Sequence, residues 1–323
     1  MYPTSGATIR ADLNIKVEEA SAAERFFIAR FVMPPLSVEA KSGTYPKLSI
    51  AAAELATAQS TIRERGGSYG QVSRNWGTDS YDCLDRGLEE PVDDTDVKDV
   101  GRFFNLEASS ARLTYRNVML DYEKRVAAQT FNTTNYGAAT NSVVAYTLAN
   151  LATIDFVADV LAAIDRVEDN LVLPNTIVIP KAVLTRLVQT PKLQQWVRGQ
   201  LKGNNEMPVN AANIAASFAD FGITQVLVGR ARQNTAKKGQ AKSMAQIWPN
   251  THVWVGNCNT GASTPQDGGS GFTLYWNAEG GFFVTETYRD TARRSNMVRV
   301  RQNTTEKVTD GTAATLIATQ FTP

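Results

Sequence analysis

The sequence has little of the chemistry on which many enzymes depend. Histidine occurs once among the 323 residues, as His252, in a stretch that alternates like a β-strand. One histidine can build neither a histidine-rich zinc site nor a metalloprotease motif. A serine-histidine-aspartate triad would have to recruit this same residue. The scarcity of histidine favours a binding or structural protein over an enzyme.

Cysteine is nearly as rare, and long apolar runs are missing. Cys83 and Cys258 lie far apart without metal-ligand spacing, so we expect two free thiols in a reducing compartment. The chain has no stretch of about 18 apolar residues that could span a membrane. Its N-terminus also lacks the apolar run of a signal peptide. These features predict synthesis in the cytoplasm and no membrane association.

The chain also has almost no net charge. The chain has 33 Lys and Arg against 32 Asp and Glu. This balance argues against tight DNA binding by the whole chain, although a local basic patch remains possible. Such a patch occurs near the end of the chain, where five of the thirteen residues from 289 to 301 are arginines. They could contact nucleic acid, pair with other subunits or form a solvated face.

The clearest helix is predicted over residues 95–130. Asp93, Asp94 and Asp96 supply a cap and negative charge to its first turn. Apolar residues then recur every three or four positions: Val97, Val100, Phe104, Ala108, Ala111, Tyr115, Val118, Tyr122 and Val126. This spacing predicts one buried face on a helix of about 50 Å. Gly101 weakens the early turns, so the regular part is expected to begin later. Because heptad positions reach polar residues such as Arg125, we expect the helix to cross a sheet and not to form a coiled coil.

The segments before this helix are predicted to project from the body. Residues 1–40 contain a short possible helix over 20–28 and an extended Pro34-Pro35 step, which together indicate an arm. Residues 41–91 have a polar, glycine-bearing middle between strand-like flanks. A long two-stranded excursion fits this pattern, and an isolated hairpin needs something to lie against.

The second half of the chain is predicted to form an α/β domain and then a terminal sheet. Helical and strand patterns alternate from about 145 to 277, with strands in NTIVIP, ITQVLVGRA, AQIWP and THVWVGN. Four further strands, in FTLYW, FFVTETYRD, MVRVRQ and AATLIAT, are expected to form the sheet beneath the long helix. An α+β architecture follows.

This order of segments resembles that of tailed-bacteriophage major capsid proteins, which have the Hong Kong 97 capsid fold. The stretches that carry the resemblance are SYDCLDRGLEEPVDDTD, VMLDYEKRVAAQTFN, NTIVIPKAVLTRLVQTPKL, VLVGRARQNTAKKG with IWPNTHVWVGN, and FFVTETYRDTARRSNMVRVRQ. The resemblance implies an N-terminal arm (1–40), an extended loop (41–91), a peripheral domain with a spine helix (92–144 and 278–323) and an axial domain (145–277).

The resemblance further implies a shell protein that assembles in the host cytoplasm and resides in the virion capsid. Copies would form the hexamers and pentamers of an icosahedral shell around weakly contacted double-stranded DNA. A portal protein, and separate scaffolding and decoration or cement proteins, are the other partners that it implies. Family members with a built-in scaffold begin with a longer segment than the roughly 40 residues found here. An encapsulin-type compartment is the nearest alternative, and a cytosolic α/β enzyme using residues 145–277 is another.

The predicted site consists of contacts between subunits, without catalytic residues, cofactor or metal. Its members are Arg63, Arg65, Arg74, Trp76, Glu89, Glu90, Asp93, Asp94, Arg289, Arg293, Arg294, Arg299 and Arg301. We expect the terminal arginines to pair across subunits with acids of the 89–96 segment. Arginine suits this role because its planar fork binds a carboxylate through two hydrogen bonds.

Overall fold

Two β-sheets and one long helix organise the chain. The computed structural model describes residues 7–14, 26–48, 61–63, 65–69, 76–101, 105–137, 146–200, 208–237, 239–319 and 321. The strands are β1 (Thr8–Ile9), β2 (Pro35–Val38), β3 (Ser42–Leu48), β4 (Trp76–Asp82), β5 (Leu84–Asp93), β6 (Thr176–Pro180), β7 (Gln225–Gly229), β8 (Arg232–Asn234), β9 (Met244–Gln246), β10 (His252–Gly256), β11 (Gly271–Trp276), β12 (Val284–Asp290), β13 (Ser295–Val308) and β14 (Ala314–Ala318). The helices are α1 (Ala29–Val32), α2 (Asp94–Asp99), α3 (Leu106–Thr130), α4 (Thr133–Tyr136), α5 (Phe156–Glu168), α6 (Lys181–Leu187), α7 (Pro191–Gln200) and α8 (Ala211–Ser217).

The six-stranded sheet is built around the long strand β13. Its order is β1-β12-β13-β11-β2, and β5 also pairs with β13. Strands β5, β11 and β12 all run antiparallel to β13, while β2 is parallel to β11. Side chains alternate between the two faces of a strand. Val298 and Val300 therefore enter the core, while Arg299 and Arg301 lie on the opposite face.

Helix α3 crosses this sheet, as predicted. It contacts β13 and β5 and measures about 37 Å, at about 1.5 Å per residue. The predicted stripe is buried from its fourth member onward: Ala108, Ala111, Tyr115, Val118, Tyr122 and Val126. The expected later start is also confirmed, because α3 begins at Leu106. The side-chain amide oxygen of Asn105 caps it by accepting from the backbone N–H of Ala108.

A four-stranded sheet forms the second core, with the order β14-β10-β6-β7. Strand β10 is antiparallel to β14 and β6, whereas β6 and β7 are parallel. Helices α5, α6, α7 and α8 contribute the apolar side chains that pack on this sheet. The predicted strands NTIVIP, ITQVLVGRA and THVWVGN are its members. AQIWP contributes only the short β9, which pairs with β8.

One strand lies in the other sheet from the one predicted. The AATLIAT segment forms β14, which pairs with β10 in the four-stranded sheet and not beneath α3. FTLYW forms β11 in the six-stranded sheet, as predicted, although the predicted axial-domain boundary at 277 had included it. Both strands are almost wholly buried. A continuous apolar run indicates a buried strand but carries no information on which sheet receives it.

The predicted projecting segment is also shorter than 41–91. Only β3 and β4 pair as an isolated hairpin, from Ser42↔Asp82 to Leu48↔Trp76. Strand β5 instead runs along β13 from Leu84↔Thr304 to Asp93↔Ser295 and belongs to the body. Gly87 allows this approach, because an added Cβ would lie 2.8 Å from the Arg301 Cβ and 2.9 Å from the Val300 oxygen.

The arm and one helix also differ from the expectation. Most of the helix predicted over 20–28 falls outside the described residues, and the helix seen there is α1, which starts at Ala29. Helix α8 was not predicted at all, since only a polar loop was assigned before it. Asn210 caps this helix by accepting from the backbone N–H of Asn213. Its alanine-rich sequence has high helix propensity but a weak apolar pattern.

Candidate assembly surfaces

The β3–β4 hairpin is fixed to the body at its base. The Tyr45 hydroxyl donates to Asp79 Oδ2 at 3.0 Å, and Lys307 Nζ lies 3.5 Å from Asp79 Oδ1. Gln266 Nε2 donates to the Pro46 carbonyl at 2.9 Å. These contacts join both strands of the hairpin to β13 and to the loop before β11. The direction in which the hairpin leaves the body is therefore defined by contacts within one chain.

The described residues of the hairpin tip are exposed to solvent. All described side chains of 61–63 and 65–69 are exposed. Ile62 is 87% and Tyr69 70% exposed, and the Arg63 guanidinium lies 5.0 Å from the Tyr69 ring centroid. Arg65 is exposed as well. Arg74 falls outside the described residues, and the backbone of Trp76 begins β4. The tip therefore presents apolar and cationic groups to solvent.

Two of the predicted arginines lie on the face of the six-stranded sheet opposite α3. Arg299 is directly across from Glu89 of β5 and Glu286 of β12. Its Nη2 is 3.0 Å from Glu89 Oε2, and its guanidinium lies over the Tyr288 ring. Arg301 Nη2 is 2.6 Å from Glu286 Oε1. These ion pairs bridge three neighbouring strands of one chain.

A third arginine holds the start of α2. Arg289 donates from Nη1 and Nη2 to the two carboxylate oxygens of Asp94, both at 2.6 Å. This contact holds the pKa of Asp94 below its ordinary value. Asp93 caps the same helix by accepting from the Thr95 backbone N–H at 2.7 Å. Hydrogen bonds from Arg299 and then Tyr288 likewise lower the pKa of Glu89. The carboxylates of Glu89, Asp93 and Asp94 therefore form their hydrogen bonds within the subunit.

The expected arginine–acid pairs exist, but Arg289 and Arg299 form theirs within one chain. Sequence could not show this, because β5 and β13 lie about 200 residues apart and their pairing became visible only in the fold. Arg293 and Arg294 remain on the exposed β12–β13 turn. The Arg293 side chain is 65% exposed and 3.5 Å from Asp290. Arg294 adopts a φ of 53°, which turns the chain into β13.

Glu90 differs from its neighbours on β5. Its side chain is half-buried, and its Oε2 atom has no hydrogen-bond partner among the described residues. It lies on the face of β5 that contacts α3, whereas Glu89 lies on the opposite face. The edge of β5 beyond it carries Leu84 and Leu88, both about half exposed. The exposed side chains along this edge are therefore apolar, while the unpaired Glu90 oxygen is buried beside them.

A buried carboxylate joins three parts of the fold. Glu123 of α3 is fully buried and accepts from the backbone N–H groups of Ile28 and Ala29. Its Oε1 also accepts from Trp248 Nε1 at 2.6 Å. Burial raises the pKa of Glu123, while these hydrogen bonds oppose the shift. Sequence analysis missed this residue, whose one signal is an acid within the apolar stripe of α3.

A groove separates the arm from the four-stranded sheet. It has a volume of about 1390 Å³ and runs between α1 and the outer strand β7. Phe31 and Leu227 contribute apolar surface, and Arg30 and Arg230 are its charged lining residues. No acidic side chain is among the described residues that line it. The groove is therefore apolar with basic groups at its margin.

The described part of the chain was predicted to lack a metal site and a membrane span, and two findings bear on these features. It contains no group of three or more His, Cys, Asp or Glu that could hold a metal ion. None of its helices is long and apolar enough to cross a bilayer. His252 is half-buried, which lowers its pKa, and its Nδ1 lies 2.9 Å from Thr251 Oγ1. Cys83 and Cys258 are free thiols in the structure, and both are buried, which the sequence analysis did not predict.

Comparison with known proteins gives the same picture. No protein-family model matches the chain. It is 25% identical over 222 residues to a major capsid protein of Pseudomonas phage JBD67, which covers 68% of this chain and 69% of that protein. The fold resembles a phage-related protein from Bordetella bronchiseptica RB50, with a TM-score of 0.70 and 19% identity over 98% of both chains. It also resembles the capsid of cyanophage P-SCSP1u, with a TM-score of 0.58 and 11% identity over 90% and 88% of the two chains.

These likenesses agree with the geometry of the chain. The structural matches show the Hong Kong 97 capsid fold, and the phage relative extends the likeness to sequence. The exposed residues of the hairpin tip fit a subunit that contacts other copies in an assembly. The fold and the phage relative together support a capsid shell protein, and the chain is similar to the major capsid proteins of tailed phages, which are structural proteins.

Proposed function

We propose that copies of this chain close into hexamers and pentamers, which tile an icosahedral shell around double-stranded DNA. The observation that carries this proposal is the hairpin, whose strands pair with each other and with no other described strand, and whose described tip residues are exposed. An isolated two-stranded hairpin is marginal in water, so a neighbouring subunit is its natural support. Contacts of this kind join one patch to a different patch, and they form closed rings when the rotation is right.

The predicted domains take their place in this assembly with adjusted boundaries. The axial domain, centred on residues 145–277, would gather around the ring axis and includes β14. The peripheral domain would form the edge and includes β5 and β11 with α3, β12 and β13. The extended loop is then limited to about 41–82, and β1, α1 and β2 of the predicted arm belong to the body of their own chain. This arrangement assigns each sheet to one domain.

We propose that the shell encloses DNA and binds it only weakly. A strongly basic lining would hold phosphates by counterion release and hinder DNA movement. The chain is almost neutral, with 33 basic and 32 acidic residues, which fits a weakly interacting wall. Assembly in the host cytoplasm, with a portal and separate scaffolding and decoration or cement proteins, completes the proposal. The phage relative favours this content over the protein cargo of an encapsulin.

Of the terminal arginines, Arg293 and Arg294 remain for contacts between subunits. Arg289, Arg299 and Arg301 already have carboxylate partners in their own chain. An exposed ion pair such as that of Arg293 with Asp290 contributes only about 0–1 kcal/mol. The turn can therefore exchange this contact for a partner on another subunit at little cost. We propose that this turn is one of the ring contacts.

Changing both turn arginines to glutamate tests this contact. We expect the Arg293→Glu, Arg294→Glu variant to fold with an unchanged thermal midpoint but to give about tenfold fewer particles, because like charges would now face the acidic partner. The double lysine variant keeps both charges and serves as the matched control. Particle yield by sucrose gradient and electron microscopy is the measurement. Normal particles from the glutamate variant would remove this turn from the interface.

A further inference from the structure

A short two-stranded ribbon carries positive charge with no acid in its own sequence. Residues 230–246, called the basic ribbon below, contain five basic residues and no Asp or Glu. Strands β8 and β9 form the ribbon and pair antiparallel. Its described cations are all exposed, namely Arg230, Arg232, Lys237 and Lys242. None of these four forms an ion pair or a side-chain hydrogen bond with another described residue. Their charge is therefore available to a partner outside the chain.

Contacts with the core fix the position of the basic ribbon. At its base, the backbone N–H of Ile247 donates to the Ala231 carbonyl at 3.0 Å, and both residues are buried. Trp248, the next residue along the chain, is fully buried. At the turn, Asn234 Oδ1 accepts from the Ser243 backbone N–H at 3.0 Å. The cations are therefore presented on a defined structure that is anchored in the fold.

The other side chains of the basic ribbon suit the backbone of a nucleic acid. Phosphate oxygens in protein–DNA complexes accept hydrogen bonds from Arg and Lys and also from the neutral side chains of Ser, Thr, Asn and Gln. The neutral polar residues of the ribbon all belong to this second group: Gln233, Asn234, Thr235, Gln240, Ser243 and Gln246. Met244 is the one large apolar residue in the segment. Because contacts with another protein usually centre on aromatic or large apolar anchors, this composition favours a polyanion over a protein surface.

Two other groups of cations fit a phosphate backbone less well. Arg289, Arg299 and Arg301 already have carboxylate partners in their own chain. The arginines at the tip of the β3–β4 hairpin lie beside Ile62 and Tyr69, which are large and mostly exposed. Such a mixed surface suits contact with a protein. Nucleic-acid contact, which the sequence left open for the terminal arginines, therefore suits the basic ribbon better.

We propose that the basic ribbon holds the phosphate backbone of double-stranded DNA. This inference rests on the proposed function, in which the shell encloses DNA, and it names the residues that make the contact. Because each basic residue of the ribbon can neutralise one phosphate, one copy contacts about four or five phosphates. The positive charge is confined to one small surface of an almost neutral chain. Each copy therefore holds DNA weakly, and bound DNA can exchange between copies.

The salt dependence of DNA binding tests this contact. Unassembled full-length protein, isolated by gel filtration, is titrated against a short labelled duplex of mixed sequence and followed by fluorescence anisotropy. With about four phosphates contacted, the logarithm of the binding constant should fall with the logarithm of the salt concentration at a slope of about −4. The Arg232→Gln, Lys242→Gln variant should bind about tenfold more weakly and have a slope of about −2. Arg232→Lys keeps the charge and should keep the slope.

A matched control removes the same net charge from another surface. Arg112 and Arg116 are exposed on α3 and form no ion pair with any described residue. The Arg112→Gln, Arg116→Gln variant should bind DNA within about twofold of the unmodified protein, because the basic ribbon is intact. Thermal midpoints should be unchanged in both double variants, because all four positions are exposed. Duplexes rich in A·T or in G·C should also bind alike, since phosphate contacts carry no base information.

The outcomes separate this inference from the proposed shell. Equal weakening in the two double variants would show that binding follows net charge alone and would overturn the ribbon as the site. A ribbon variant that keeps its DNA affinity but loses particles would assign the ribbon to an acidic protein surface, which also contradicts the inference. A strong preference for one base composition would contradict phosphate contact. Failure of the unmodified protein to form particles would instead contradict the shell, while the binding measurement stays readable.

Discussion

Replacing Glu123 by glutamine is expected to lower the free energy of unfolding by about 3 kcal/mol, because the groups around this side chain are all donors. The backbone N–H groups of Ile28 and Ala29 and the Trp248 indole N–H point at its two oxygens. Glutamine keeps one acceptor and turns an N–H₂ group toward these donors. Buried donors left without acceptors are a recognised cause of large destabilisation.

The same helix offers a matched control for this substitution. Asp121 is exposed and pairs with Arg125 one turn away. Removing its charge with Asp121→Asn should cost only about 0.5 kcal/mol. Urea denaturation followed by tryptophan fluorescence compares the two variants, and Trp248 itself reports on the site. Equal midpoints for Glu123→Gln and Asp121→Asn would show that the junction between arm, α3 and four-stranded sheet does not depend on Glu123.

Shortening the hairpin is expected to abolish particles while the subunit stays folded. Residues 49–75 would be replaced by Asn-Gly, a two-residue turn that suits the twist of paired strands. The base of the hairpin keeps its contacts, since Tyr45, Asp79 and Lys307 are retained. The six-stranded sheet also remains complete, because β5 pairs with β13. The loss should therefore be confined to contacts with other copies.

Circular dichroism and particle counts give the two readouts for the shortened chain. We expect an unchanged thermal midpoint and no particles. A variant in which residues 49–75 are kept and only Thr61 is changed to Ser controls for handling. Particles of normal yield and shape from the shortened chain would show that the hairpin is dispensable for assembly.

Local and periodic features of the sequence translated well into structure. The stripe from Ala108 to Val126 predicted the buried face of α3, because a helical repeat is written in consecutive residues. Gly101 correctly indicated a later helix start. The polar middle of the 41–91 segment predicted a hairpin, although the hairpin proper ends at Asp82. In each case the signal lies within a few turns or strands of the residues concerned.

Features that depend on distant pairing were not accessible in the same way. The assignment of β14 to the four-stranded sheet depends on β10, about 60 residues earlier, and a buried strand fits either sheet. The use of Glu89 by Arg299 within one chain depends on the register of β5 against β13. Glu123 gains its role from an arm and a tryptophan that no local pattern connects to it. Complementary charges alone did not distinguish pairing within a subunit from pairing between subunits.

The mass of the purified, unmodified protein in solution tests most directly whether the chain assembles with other copies or remains a monomer. Sedimentation velocity with electron microscopy of the same sample distinguishes rings and closed shells from free subunits. We expect large, uniform species built from many copies of the 35.2 kDa chain. A sample that stays at the mass of one chain at all concentrations, with its hairpin tip protected from proteolysis, would contradict the account.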